Sequence, residues 1–448
     1  MKKKTIIIIL IIVILLVILG IILYNNTRVG AVKGPFEVAT VWSAEIVRTE
    51  PSGDTLNFDA DGMPDYLKLA RQGFEKGMQD AKGNLDIREV LIGDNGDVQP
   101  YTRKISETFS QNDILMTVGT MSDETTMYTS METNFFKIPM LIPFANGNLS
   151  PDGAGNDYSV RLTPSSKKYG AFFNTLFTNS LSDFLNTYVF NGKALPVVGN
   201  GVSVFFRDNF HGNETAVIIT QEMLDNGYDV QSYTPFSMGG LTGAVQTAWN
   251  SDPDGLTNSN AVIIIEEDGA SLEGMEDILK AWKDRGLSPQ FFLVGYEPIE
   301  IPQAVLEADN VFFVQQHVDM SSCPAGIENR VEAMGYAAGQ IMCRALQNAV
   351  QKQSPEPSGV NKWFQTEESK NEVHREYIDS FRSNVLSALI AMDDVIPCYG
   401  QVNFDADPDD RVVLELVRYT GRNQYVPVET GVFINSVIEK NRAYYGLE

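Results

Sequence analysis

The chain alternates short runs of β-branched and aromatic residues with longer segments in which apolar residues recur at helical spacing. The first run, FEVATVW, begins at Phe36, and in the segment after it Leu67, Ala70 and Phe74 fall near one helical face. This alternation predicts βαβ units and mainly parallel sheets. Further strand-like runs lie at 87–92, 114–118, 138–142, 202–206, 261–265, 290–294 and 311–316, and a closing pair of strands is predicted at 400–404 and 412–419.

The runs form two successive series, and the first series ends near residue 161. Helical segments near 331–350 and 377–391 follow the second series, so that late segments can return to each sheet. The order predicts an α/β protein of two doubly wound parallel-sheet lobes. Because such sheets bind ligands at the carboxyl ends of their strands, we expect the site in the cleft between the lobes.

A long apolar segment lies near the N-terminus. Ile6 to Tyr24 contains no charge and no proline, and the sequence MKKKT precedes it. A helix of this length crosses a hydrocarbon core of about 30 Å, and flanking positive charge stays on the cytoplasmic side. We therefore expect a single-pass anchor in the cell membrane, with residues 25–448 extracytoplasmic. A cleaved secretory signal is the alternative, because small residues at 29–31 offer a cleavage site.

The charge balance argues against nucleic acid as a partner. The 448 residues carry 34 Lys and Arg against 58 Asp and Glu, a formal net charge of -24. Binding to phosphate by counterion release needs clustered basic residues, and the only basic run precedes the apolar segment. The part that follows the apolar segment is therefore expected to be an acidic, folded body without affinity for nucleic acid.

The three cysteines are too few for a disulfide-dependent scaffold. Cys343 lies in a helical apolar pattern and is interpreted as a buried small hydrophobe. A disulfide between Cys323 and Cys398 is possible outside the cell, although spacing alone does not establish it. The sequence contains no CxxC pair or Cys/His cluster for zinc. The acidic stretches 59–65 and 404–410 do not place a Gly and a Glu at the positions that a calcium loop requires. We expect no metal and no cofactor.

Several sequence segments, in a fixed order, resemble those of one protein family. They are VGTMSDETT, KIPMLIPFANGNLS, YSVRLTPSSKKYG, VSVFFRDNFHGNETA with LDNGYDV, EAMGYAAGQIMCRAL and YGQVNFDADPDDRVVLELVRY. With them the chain resembles the type I periplasmic binding proteins, specifically the branched-chain amino-acid binding family that feeds ABC importers. The likeness spans nearly all of residues 36–425.

The resemblance implies three hinge crossovers, near residues 161–164, 316–319 and 397–400. The lobes are then discontinuous. The implied division is a membrane anchor and linker at 1–34, a first lobe of 35–161 plus 319–397, and a second lobe of 162–318 plus 398–448.

The resemblance also implies a set of ligand-binding residues, in which two loops of the first lobe hold the ligand's carboxylate and an acid of the second lobe holds its ammonium. Glu297 takes the place of that acid, and His211 stands where the family has an aromatic residue. Glu266 follows a strand and is a further candidate. The carboxylate-holding residues are Ser122, Asp123, Phe144, Ala145 and Asn146.

Each candidate also has an alternative interpretation. Ser122 and Asp123 suit the cap of a helix that starts beside them. His211 could lie in a surface turn, and Glu297 and Glu266 could be solvated loop acids. Asp123 adds negative charge next to the implied carboxylate position, which leaves open an amide, a cationic or a sugar-like ligand.

The motifs favour a binding protein over an enzyme. The sequence has no G-x-S-x-G, no H-E-x-x-H, no G-x-x-x-x-G-K-[ST] and no G-x-G-x-x-G after a strand, and it contains only three histidines. We expect an extracytoplasmic solute-binding protein that captures a small polar ligand, an amino acid or a related compound, and delivers it to an ABC permease. The alternative is a sensing ectodomain that acts through a separate membrane signalling partner.

Overall fold

The computed structural model of the protein describes part of the chain. The described residues are 35–42, 65–92, 98–120, 123–145, 158–187, 201–237, 239–266, 272, 274–295, 300–352, 367–404, 412–421 and 424–428. The predicted anchor at 6–24 lies outside them, as do nearly all residues of the two acidic stretches. Among the helices of these segments, none has the length and apolar character needed to span a bilayer.

The described strands and helices alternate along most of the chain, as the sequence predicts. The strands are β1 (Phe36–Val41), β2 (Ile87–Ile92), β3 (Met116–Gly119), β4 (Met140–Ile142), β5 (Ser159–Arg161), β6 (Gly201–Arg207), β7 (Asp229–Phe236), β8 (Ser259–Ile265), β9 (Gln290–Val294), β10 (Val311–Gln316), β11 (Asp393–Ile396), β12 (Gly400–Asn403), β13 (Leu414–Gly421) and β14 (Gln424–Pro427). The helices are α1 (Asp65–Ala81), α2 (Val98–Gln111), α3 (Asp123–Phe136), α4 (Ser166–Thr187), α5 (Phe210–Asp225), α6 (Leu241–Ser251), α7 (Pro253–Thr257), α8 (Met275–Lys283), α9 (Gln303–Glu307), α10 (Arg330–Lys352) and α11 (Glu367–Ile390).

The strands form two large sheets. The first has the order β2–β1–β3–β4–β5, and all of its described pairs are parallel. The second has the order β14–β13–β10–β9–β8–β6–β7, in which β13 and β14 are antiparallel to their neighbours. The parallel sheets predicted from the sequence are therefore confirmed.

Both sheets are apolar on both faces. In β1, Phe36 and Val38 pack in one apolar cluster, whereas Ala39 and Val41 pack in another. The second sheet repeats this division, because neighbouring residues of β8 and β9 also belong to opposite clusters. A parallel sheet that helices cover on both sides needs such strands, which is why these runs are apolar throughout in the sequence.

Helix α10 returns to the first sheet and packs against α1 at very close range. Gly73 and Gly77 of α1 face the backbone of α10, and Gly335 and Gly339 of α10 face the backbone of α1. A Cβ atom at any of the four would lie only 2.0–2.4 Å from a backbone oxygen of the other helix. The helices can approach this closely because all four positions lack a side chain.

Two segments that link the sheets and the turn between β11 and β12 meet at one carbonyl group. The oxygen of Leu162, just after β5, accepts hydrogen bonds from Gln316 Nε2 at 2.8 Å and from the hydroxyl of Tyr399 at 3.0 Å. The disulfide between Cys323 and Cys398, which the spacing of the cysteines alone did not establish, is present. It joins the segment after β10 to the turn between β11 and β12. Residues from three distant parts of the chain are thus tied together where the chain passes between the sheets.

The two strands predicted at 400–404 and 412–419 are both present, but they lie in different sheets. β12 pairs with β11 in a separate two-stranded sheet, and β13 pairs with β10 and β14. Cys398, Val402 and Phe404 pack in the apolar cluster of the first sheet. We therefore propose that the third crossing lies after Phe404 rather than at 397–400; the division into lobes stays a prediction.

Candidate ligand-binding site

Each large sheet has one switch point, where the connections that follow two neighbouring parallel strands run toward opposite edges of the sheet. In the first sheet this switch point lies between β1 and β3, and in the second it lies between β6 and β8. The loops that leave such strands diverge and open a crevice, which is where open α/β sheets bind ligands. Trp42 follows β1, Asp123 begins the helix after β3, Arg207 ends β6, and Glu266 follows β8.

Asp123 and His211 join the two switch points. Oδ2 of Asp123 lies 3.0 Å from Nδ1 of His211, so that the imidazole N–H can donate to the carboxylate. Both side chains are almost completely buried, with 5% and 1% exposure. Asp123 starts α3 and His211 is the second residue of α5, so this contact links the helix that follows β3 to the helix that follows β6.

The start of α5 is fixed by local sequence. The side chain of Asn209 accepts a hydrogen bond from the backbone N–H of Gly212 at 2.8 Å and caps the helix. A Cβ atom at Gly212 would lie 2.1 Å from the carbonyl oxygen of Arg207, so only glycine fits this tight turn. The turn places His211 against the first sheet's switch point.

A polar network extends from His211 to the first residues of α4. Nδ1 of His211 lies 3.4 Å from the hydroxyl oxygen of Thr215, and this hydroxyl donates to Ser166 at 2.9 Å. The hydroxyl of Ser166 donates to Glu214, also at 2.9 Å. The network fixes the imidazole among buried polar side chains at the contact between α4 and α5.

Arg207 and Glu266 form a second pair at the ends of neighbouring strands β6 and β8. Their closest charged atoms are 3.8 Å apart, and the side chains are 7% and 13% exposed. Glu266 is therefore a mostly buried partner of a buried guanidinium, and not the solvated loop acid of the alternative interpretation.

An aromatic cluster closes the end of β1. The ring of Trp42 packs 5.5 Å from that of Phe74 and 6.5 Å from that of Phe144, and all three are buried. The indole N–H of Trp42 has no hydrogen-bond acceptor among the described residues. Trp42 was not predicted as a site residue, although its place directly after the first strand was a usable signal.

The structure places five of the eight predicted site residues. Asp123 and His211 lie in contact, and the buried imidazole shows that the surface-turn interpretation is wrong. Phe144 and Ala145 follow β4 and are buried, with Phe144 in the aromatic cluster. Glu266 pairs with Arg207. The remaining predicted residues, which are Ser122, Asn146 and Glu297, lie outside the described residues.

The described side chains offer no ready metal centre. No group of three or more His, Cys, Asp or Glu side chains within these segments is arranged to hold an ion.

Comparison with known proteins gives matches at the level of structure. No family model matches the chain, and no curated protein matches its sequence. The leucine-binding protein LivK from Thermotoga maritima is 12% identical with a TM-score of 0.58, over 88% of this chain and 98% of that one. An extracellular ligand-binding receptor from Rhodopseudomonas palustris is 13% identical with a TM-score of 0.59, over 88% and 99%.

A third solved structure is a branched-chain amino acid transporter substrate-binding protein, LivJ from Streptococcus pneumoniae, in complex with isoleucine. It is 13% identical with a TM-score of 0.53, over 88% of this chain and 99% of that one. The similarities cover almost the whole length of these proteins. The chain has the fold of the type I periplasmic binding proteins.

Proposed function

We propose that this protein is an extracytoplasmic solute-binding protein, and not an enzyme. It captures a small polar ligand, an amino acid or a related compound, between its two lobes and delivers it to an ABC permease. Residues 6–24 anchor it in the membrane beside that permease. The observation that carries the proposal is the contact between Asp123 and His211, which brings the switch points of both sheets together.

Two further observations support this function. The solved proteins with the same fold include a leucine-binding protein and a substrate-binding protein that holds isoleucine. The buried Trp42 N–H has no acceptor among the described residues, and a buried donor of this kind costs about 1–3 kcal/mol unless a partner accepts its hydrogen bond. A ligand oxygen at the end of β1 would supply that partner.

Binding would proceed by closure of the lobes around the linking segments. The carbonyl of Leu162, which accepts hydrogen bonds from Gln316 and Tyr399, lies where these segments meet and marks the axis of the motion. Closure brings Asp123 and His211 within hydrogen-bond distance, and a ligand adds contacts that exist only in the closed state. Affinity then depends on the difference in contacts between the open and closed forms.

A thermal-shift screen of amino acids, amino-acid amides, nucleosides and sugars tests the function. A ligand at 100 times its dissociation constant stabilises the folded state by about 2.7 kcal/mol. We expect one compound class to raise the melting temperature by about 3–6 °C. Isothermal titration with that class should give one ligand per chain and leave the ligand chemically unchanged. Turnover of the compound, or no stabilisation across the screen, would reject the proposal.

His211 and His374 form a matched pair of variants for the closure mechanism. Both histidines contact an aspartate, but His374 and Asp113 lie on the surface, with a distance of 2.8 Å and more than half of each side chain exposed. We expect His211→Gln to weaken ligand binding about tenfold or more, because it removes a buried contact between the lobes. His374→Gln should leave binding unchanged. Equal effects of the two variants would refute a role for His211 in closure.

A further inference from the structure

The position between helices α3 and α5 is already occupied by a carboxylate of the chain itself. Asp123 lies at the first residue of α3, and its carboxylate contacts the second residue of α5. The N-termini of both helices favour negative charge, because their first N–H groups point outward and the helix dipoles are positive there. A ligand carboxylate would be expected at such a place, and Asp123 supplies the negative charge instead.

Arg207, at the switch point of the second sheet, is also paired with a carboxylate. Arg207 lies 3.8 Å from Glu266, and both side chains are mostly buried. His211 near the start of α5 and Arg207 at the end of β6 therefore each have a carboxylate of the chain beside them. A ligand carboxylate that entered here would compete with Asp123 or Glu266 for the same partners.

The electrostatic penalty for such a ligand is large. Two negative charges about 5 Å apart, at the effective dielectric constant of about 20 that describes partly buried sites, disfavour each other by about 250-fold in binding. An uncharged polar group meets no such penalty. A cationic group would be attracted by Asp123, since buried charge-assisted hydrogen bonds are the stronger kind.

We propose that Asp123 determines the ligand class by charge. The ligand presents an uncharged polar or a cationic group toward Asp123, and a carboxylate in that position is rejected. This inference rests on the proposed solute-binding function and narrows its ligand: compounds in which the carboxylate of an amino acid is replaced by an amide are preferred over the free acid.

Matched pairs of free amino acids and their primary amides test the inference, with the twenty common amino acids as one series and their amides as the other. We expect the wild-type protein to bind the best amide about 10- to 100-fold more tightly than the matching acid. Asp123→Asn removes the charge and keeps the shape, so the preference should fall below about threefold. Glu132→Gln is the control, because it changes the net charge equally on the same helix, about 13 Å further along its axis.

Asp123→Asn leaves His211 without its carboxylate, so a variant with both Asp123→Asn and His211→Asn provides a second test that buries no unmatched charge. A melting curve without ligand confirms that each variant folds. If the wild-type protein binds the acids as tightly as the amides, or if Glu132→Gln changes the preference as much as Asp123→Asn, the assignment of Asp123 is wrong while the binding function stands. If no acid, amide or other solute of the thermal-shift screen binds, the proposed function itself fails.

Discussion

The close contact between α1 and α10 makes Gly335→Ala a sharp test of the fold. The new Cβ atom would lie 2.1 Å from the carbonyl oxygen of Ala70 and 3.0 Å from the backbone nitrogen of Phe74, whereas an ordinary contact is 3.4–4 Å. The helices must separate by more than 1 Å, since no flexible side chain can yield. Overpacking of this kind costs about 3 kcal/mol, and alanine returns about 1 kcal/mol through its better helix propensity. The net expected loss of stability is about 2 kcal/mol.

Urea unfolding followed by far-UV circular dichroism measures this loss, and a melting curve should show a decrease of about 2–5 °C. Gly243 in α6 is the matched control, because it is exposed and a Cβ atom there meets nothing within 4 Å. Gly243→Ala should stabilise the protein by about 0.5–1 kcal/mol. If Gly335→Ala also stabilises the protein, the two helices do not approach each other as described.

Three further predictions concern the cysteines and an aspartate near the linking segments. Replacing both Cys323 and Cys398 by serine should cost about 4 kcal/mol, because the disulfide closes a loop with a sequence separation of 75; a loss below about 1 kcal/mol in urea unfolding would contradict its presence. Burial raises the pKa of the Cys343 thiol to about 12, so iodoacetamide at about pH 8 should leave this thiol unmodified until the protein is unfolded. Rapid labelling of Cys343 in the native protein, seen by mass spectrometry, would show that the thiol is not buried. A hydrogen bond from Ser321 lowers the pKa of Asp319 below its usual 3.8, so its contribution to stability is present above that value and is lost as the pH falls through the lowered pKa. NMR titration should show a higher pKa for Asp319 in Ser321→Ala, and an unchanged titration would exclude the hydrogen bond as its cause.

The strands of the sheet interiors could be predicted from the sequence because their burial leaves a continuous apolar pattern. β8, with its run AVIII, is one example, and the whole of this run is buried. Edge elements carry a weaker signal. β7 lies at the edge of the second sheet and β11 begins with two acidic residues, so neither has an apolar run that stands out from a loop. The pairing of β13 with β10 depends on contacts between residues about 100 positions apart, which no local pattern encodes.

The candidate site also contains features that local sequence predicts and features that it does not. Asp123, His211 and Glu266 were identified from their positions after strands and from the family resemblance, both of which depend on local sequence. That Asp123 contacts His211 could not be predicted, because it depends on how two separately formed sheets meet. The partner of Glu266 was missed for a related reason: Arg207 ends a buried strand, and an arginine there is easily read as the start of a surface loop.

The order in which the chain is synthesised limits when its first half can finish folding. The side chain of Gln340 on α10 donates to the carbonyl of Gly77 on α1, across 263 positions of sequence. At a synthesis rate of about 5–20 residues per second, α10 is completed roughly 13–50 s after α1, which it covers. During that time the apolar face of α1, which includes Leu67 and Phe74, is open to chaperones or to other unfolded chains. A fragment that ends before α10 should therefore aggregate, however well its own strands pair.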